Sequence, residues 1–309
     1  MINPITTISL YTTIYPGVEP FLSDWYRSLR EQTDHDFTLW IGLDALTVKA
    51  AIEAIGEDPD ASWVPAAPGD TPAQVRQRAL ERLVETCDGV VMVDSDDILH
   101  STRIASARES LKTSDLTGCA LRLVDRSGED MGLALRLPRH ANPEDVLPKN
   151  NVFGLSNSAF RSDLLRRCLP IPADVELVDW YLATQAWLLG AKLAFDDVVR
   201  MDYRQHSTNM VQVRPPFGPQ QIISDCERVR RHLKAVRAAP LNGAIAHRLA
   251  TLNEMASDVE EFRRNVVLNP TQLERYTVAL NDLNVTPLWW SCVAHPSLKH
   301  MWIPIKETE

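Results

Sequence analysis

Hydrophobic spacing in the N-terminal part of the chain switches between a period of two and a helical period, and this alternation predicts its elements. Ile5 to Leu10 alternates apolar residues with Thr and Ser, which predicts a strand with Tyr11-Thr12-Thr13 at its carboxyl end. Phe21 to Leu29 carries helical spacing, Phe37 to Gly42 reads as a second strand with Asp44 just past it, and Val48 to Ile55 reads as a helix. Pro65, Pro68 and Gly69 make Ser62 to Asp70 a loop. Thr71 then caps a helix running to about Glu85, with Pro72 at its first position and Gln74 placed to close a capping box. Val90-Val91-Met92-Val93 is short, β-branched and apolar, the pattern of a buried strand.

Strands and helices in this order imply an α/β fold with a mostly parallel, Rossmann-like sheet flanked by helices, whose ligands gather at the carboxyl ends of the strands. Further along, Leu116 to Val124 predicts a strand, Arg126 to Asp130 a turn, and the polar stretch Pro138 to Asn151 a loop over the site. Order resumes with Val152 to Phe160, helices over Ser162 to Cys168 and Asp179 to Leu189, and a strand over Val198 to Tyr203. From Gln220 the pattern is helical only, in Ile222 to Val236, Ala244 to Val266 and Thr271 to Leu283. The proline-rich stretch Pro215 to Pro219 therefore divides a catalytic-type region, residues 1–215, from a helical C-terminal region, residues 216–309.

The strand ending at Val93 runs straight into Asp94-Ser95-Asp96-Asp97. In extended chain Asp94 and Asp96 face the same way, so both can converge on one cation. The plainer role is capping of a helix over Ile98 to Leu111, which Asp residues often perform. Three acids in four residues exceed what a cap needs, and close carboxylates repel one another unless a cation neutralises them.

Composition narrows the class. With 309 residues the chain has ample length for a core, and its net charge of −9 disfavours general nucleic-acid binding. The five cysteines are odd in number and widely spaced, which points to reduced thiols rather than a disulfide framework or zinc site. The N-terminus lacks a basic region followed by an apolar segment, and no apolar run approaches the ~18 residues of a membrane span. The expectation is a cytoplasmic protein, with peripheral contact at the inner face of a membrane left open.

Three other clusters follow in order. Phe153 to Arg161 places Gly, Ser and Asn between aromatics, which permits close backbone approach or simply a turn into a helix. Asp179 opens an apolar helix, as an N-cap or as a general base; the helix N-terminus is expected to lower its pKa, keeping it ionised and able to accept a proton late in a reaction. His206 follows a strand in Tyr203-Arg204-Gln205-His206, and its imidazole with Asp94 and Asp96 would suit manganese or magnesium.

The succession Asp94-Ser95-Asp96-Asp97, Gly154 to Phe160, Val178-Asp179-Trp180 and Tyr203 to His206 resembles the family 2 glycosyltransferases of the GT-A fold, especially bacterial members that build surface polysaccharides, including the rhamnosyltransferase-like group. The resemblance spans roughly residues 5–213. It implies a nucleoside-diphosphate sugar as donor and a glycan or glycolipid hydroxyl as acceptor. Asp94 and Asp96 would bind the diphosphate through Mn2+ or Mg2+, with His206 the third ligand and Asp179 the catalytic base of an inverting transfer. Thr12 and Asp44 would line the nucleotide pocket together with Arg76, for which Arg78 is an equally good register.

The chain departs from the family pattern in that pocket. Leu43-Asp44-Ala45 carries one acid where the family usually has a pair, and Tyr11-Thr12-Thr13-Ile14 replaces the usual Pro-Thr-Tyr-Asn. Two other classes share the acidic strand end: a phosphatase of the haloacid dehalogenase type, with Asp196-Asp197 as its later acid pair, and a catalytically silent sugar-nucleotide-binding module. Arg228, Arg230, Arg231, Lys234 and Arg237 make one helix basic, a solvated face or a lipid contact. Trp289, Trp290 and Trp302 are read as buried against the catalytic region or as an interfacial anchor.

Overall fold

A computed structural model describes residues 4–205, 215–240, 242–283 and 288–303. Strands β1 (Ile8–Ile14), β2 (Phe37–Leu43), β3 (Ala61–Pro65) and β4 (Gly89–Met92) pair in parallel in the order β3-β2-β1-β4. Helices α1 (Leu22–Arg30), α2 (Val48–Ile55) and α3 (Pro72–Leu83) connect them. Beyond β4 the sheet turns mixed: β8 (Ser158–Arg161) lies antiparallel between β4 and β6 (Leu116–Val124), and β9 (Leu193–Arg204) runs parallel to β6. The short strands β5 (Ile98–Leu99) and β7 (Asp130–Leu135) add antiparallel to β9 and β6.

The first strand extends further than its alternation predicts. All seven residues of β1 are buried, because helices cover both faces of the parallel sheet. Its polar side chains find partners inside: Ser9 bonds Thr38 at 2.8 Å and Tyr11 bonds Thr13 at 2.9 Å. Tyr11-Thr12-Thr13 is therefore strand interior and not the segment past its end. The stretch read as a loop over Ser62 to Asp70 begins with the edge strand β3, in which Val64 is the one fully buried residue and Pro65 closes the pairing. Asp96 and Asp97 do not cap a helix over Ile98 to Leu111; Ile98 and Leu99 pair with Met201 and Asp202 as β5, and α4 (Arg103–Leu111) starts later. Thr71 and Gln74 do form the expected capping box of α3.

Helices α6 (Ser162–Cys168) and α7 (Val178–Leu188) precede β9, and the loop Pro138 to Asn151 contains one turn of helix, α5 (Pro143–Val146). The C-terminal helices α8 (Pro219–Ala238), α9 (Ala246–Phe262) and α10 (Pro270–Asn281) share one continuous hydrophobic core with the sheet region. Trp289, Trp290 and Trp302 are all buried in it. Along α8, Arg228, Arg230 and Arg231 pair with Asp225, Glu227, Glu260 and Glu176, so much of the basic face is neutralised within the fold. No helix among the described residues is long and apolar enough to cross a membrane.

Candidate active site

The carboxyl ends of β1, β2 and β4 open into a cavity of about 690 Å³ whose walls include Thr13, Asp44, Arg76, Asp94, Asp96 and Asp179. Five of the residues singled out by motif thus meet in one place although the sequence scatters them. Thr12 does not line it: neighbouring side chains of a strand point to opposite faces, so Thr13 takes the cavity side and Thr12 is buried away from it, its hydroxyl without a partner among the described residues. His206 lies outside the described residues.

Local folding accounts for the placement of each acid. Asp94 and Asp96 follow β4 with Ser95 between them, and the Ser95 hydroxyl turns inward to donate to the Thr13 carbonyl at 2.8 Å. Asp97 is scaffold: its Oδ1 accepts the backbone N–H of Arg204 at 2.8 Å, and Ser156 donates to its Oδ2. The buried Arg204 ties the turn down, its Nε donating to the Asp96 carbonyl at 2.8 Å and its guanidinium lying 4.9 Å from the Phe21 ring centroid. Ser156 Oγ also lies 2.9 Å from Asp94 Oδ2, its one O–H shared between the two carboxyls, so the Gly/Ser/Asn turn before β8 braces the acidic turn. Gly154 leaves the room this needs: a Cβ there would sit 3.3 Å from Asn157 Oδ1 and 3.7 Å from Asp179 Oδ2.

Electrostatically this end of the cavity is short of positive charge. Burial and the neighbouring Asp96 charge push the Asp94 carboxyl up to about 7, and burial with the same acids drives Asp97 well above the carboxylate range. The phenols of Tyr15 and Tyr203 are raised by burial and by the same carboxylates. Two oxygen-donor side chains at this cost in mutual repulsion fit a hard divalent cation, which would neutralise both. Among the described residues no group of three or more His, Cys, Asp or Glu side chains converges as a complete metal site.

The two candidate arginines of α3 have different surroundings. Arg78 is occupied by Asp70, with Nη2 to Oδ2 at 2.7 Å, while Arg76 lines the cavity and leaves a buried Nε without a partner among the described residues. The positive charge of Arg76 lowers the pKa of both Asp94 and Asp179 against the effect of burial.

Asp179 is not a helix cap. Leu177 holds the N-cap position of α7 without a side-chain bond, and Asp179 sits one residue inside the helix. Its Oδ1 accepts the Trp180 backbone N–H at 2.7 Å and its Oδ2 accepts from Asn151 at 2.8 Å. The expected lowering of its pKa is reversed: removal from water raises it, outweighing the Trp180 N–H, Arg76 and Asn151. A carboxylate whose pKa is raised is a better proton acceptor than one held low by a helix end.

Asn151, Tyr15, Trp289 and Trp290 also line the cavity and carry no local motif. Asp196 lies elsewhere, bonded to Ser106 and Arg200, and no lysine lines the cavity among the described residues, so the site lacks what a phosphatase of the haloacid dehalogenase type needs.

No protein-family model and no curated protein sequence matches the chain. Its fold does match solved glycosyltransferases. TarS of S. aureus, residues 1–349 in complex with UDP-GlcNAc, superposes with a TM-score of 0.58 at 16% identity over 89% of this chain and 80% of that one. The mannosyltransferase PcManGT from Pyrobaculum calidifontis, in complex with GDP-Man and Mn2+, gives a TM-score of 0.57 at 18% identity over 92% and 80%. The chain thus has the GT-A glycosyltransferase fold that its ordered motifs imply.

Proposed function

We propose that the protein is an inverting, metal-dependent glycosyltransferase that moves a sugar from a nucleoside diphosphate to a hydroxyl of a glycan or glycolipid acceptor. The observation that carries this reading is the convergence of Asp94, Asp96, Arg76 and Asp179 on one cavity at the carboxyl edge of the sheet. The nucleotide-sugar complexes of TarS and PcManGT support the donor class, and the Mn2+ in the latter supports a divalent metal. Asp94 and Asp96, with His206 as the third ligand, would hold Mn2+ or Mg2+, which when bound offsets charge on the leaving diphosphate.

Arg76 adds a fixed positive charge beside the diphosphate, and Asp44 and Thr13 belong to the nucleotide end of the cavity. Asp179 takes the proton of the acceptor hydroxyl as that oxygen bonds to the anomeric carbon. The bond from that carbon to the diphosphate oxygen breaks, and a single displacement inverts the configuration. Raised by its surroundings and oriented by Asn151 and the Trp180 N–H, Asp179 suits this role.

The test is a thermal-shift titration with UDP and GDP, each with and without manganese, followed by turnover of the corresponding nucleotide sugars. Binding to the folded state raises the melting temperature by mass action. A manganese-dependent shift with one of the two diphosphates is the expected result. Absence of any shift with either would overturn the proposal.

A further inference from the structure

Asp179 sits in the first turn of α7, and that turn lacks the usual local support. The first N–H groups of a helix have no carbonyl partner, and a capping side chain normally takes one of them. Leu177, at the N-cap of α7, offers none. The Trp180 N–H turns instead to the Asp179 carboxylate at 2.7 Å, so the base is fixed only as well as the Trp180 backbone. Tertiary packing has to hold such a turn in place.

The C-terminal region supplies that packing. Trp180 is completely buried, and its indole N–H donates to the Leu147 carbonyl at 3.0 Å. Two rings lie parallel to the indole: His232 of α8, with centroids 4.0 Å apart and planes within 7°, and Trp290, beyond α10, at 5.9 Å and 4°. Asn151, which also bonds to Asp179, follows Asn150, whose side chain donates to the Trp289 carbonyl at 3.0 Å. Trp290 adopts a φ of +66°, a conformation that so large a side chain keeps only where surrounding contacts over-determine it.

The nitrogen chemistry of His232 is little used. Burial pushes its pKa down to about 3, so the imidazole is uncharged. Its Nδ1 has no partner among the described residues, and its Nε2 lies 3.4 Å from the Thr184 hydroxyl. A neutral, weakly bonded ring contributes by its flat face. We propose that His232 and Trp290 are positioning residues for the general base: they hold the first turn of α7 through the Trp180 ring, so the C-terminal region completes the active site. The inference rests on the glycosyltransferase reading above.

The experiment is amide hydrogen exchange along α7, read by NMR on the full chain, together with kcat and KM for release of UDP or GDP from their sugars. Leucine in place of either ring keeps apolar bulk without a flat face. H232L and W290L should each speed exchange of the Trp180 N–H by about tenfold, the scale of one aromatic pair, while Leu182 to Leu188 stay protected. His232 does not line the cavity, so H232L should lower kcat by about tenfold or more with KM for the nucleotide sugar unchanged. H232F restores a flat ring and should recover most of both losses. Faster exchange along the whole of α7 would reduce both residues to general packing. That result, an H232F no better than H232L, or unchanged Trp180 exchange or kcat in both leucine variants overturns the proposal and leaves the glycosyltransferase reading standing. If the wild type gives no manganese-dependent shift with UDP or GDP and releases neither from its sugar, that reading falls and Asp179 is no base to position.

Discussion

The side-chain amide of Asn151 donates to Oδ2 of Asp179 at 2.8 Å, while its own Oδ1 accepts the backbone N–H of Phe153 at 3.1 Å. The second bond fixes which way the amide points, so Asn151 presents its donor and not its carbonyl to the carboxylate. It favours the charged form of Asp179 and holds its free lone pairs in one direction.

Replacing Asn151 by Ala should therefore lower kcat and shift the acid limb of the rate profile. The sign follows from which form is stabilised. Losing a donor to the carboxylate raises the Asp179 pKa further above its ordinary value, so the limb moves to higher pH. Asn151→Asp should move it further still, because a second carboxylate would face the first. A kcat loss with an unmoved limb in both variants would reduce Asn151 to a packing residue.

Asp179→Asn separates base from scaffold. Asn retains an oxygen for the Trp180 N–H but sets its amide N–H2 against that of Asn151, so the lost hydrogen bond offsets the relief of a buried charge and the melting temperature should change little. Turnover should fall by about two or more powers of ten with donor binding near normal, the range expected on loss of general-base help. Activity within a few-fold of wild type would remove Asp179 from the mechanism.

Asp96→Ala tests the cation. It removes one of two crowded carboxylates at the cavity wall, so the metal-free protein should melt no lower than wild type, and the manganese-dependent part of the UDP shift should vanish together with turnover. His206→Ala should weaken the metal effect less, because both carboxylates and the diphosphate remain. An unchanged manganese response in Asp96→Ala would exclude Asp96 as a ligand.

What was legible in the sequence was local. Capping of α3 by Thr71 and Gln74 and the acids that follow β4 are written in consecutive residues, whereas α7 starts from Leu177 with no capping side chain to mark it. Edge strand β3 was hidden because little of it is buried, so it lacks the hydrophobic signal of a central strand. Thr12 faces away from the cavity because β1 runs on to Ile14, so the residues after Leu10 are strand interior and alternate between its two faces. Asn151 and the tryptophan wall were illegible for a different reason. Asn151 reaches Asp179 across 28 residues and Asn150 reaches Trp289 across 139, and no spacing rule spans such distances.

Arg76 and Arg78 are two residues apart on α3 and separate function from structure most directly. Arg78 pairs with Asp70 at 2.7 Å on a part-exposed surface, so Arg78→Ala should cost stability by no more than about 1 kcal/mol and leave UDP binding intact. Arg76 lines the cavity with a buried Nε that no group among the described residues satisfies, so Arg76→Ala should spare the apo protein or stabilise it slightly. The same change removes a charge-assisted partner of the diphosphate and should weaken UDP binding by about tenfold or more, with Arg76→Lys recovering only part of the loss because the planar fork is gone. Calorimetric titration of UDP with the three variants reads this out. Equal affinities for Arg76→Ala and Arg78→Ala would show that the cavity does not hold the diphosphate at Arg76.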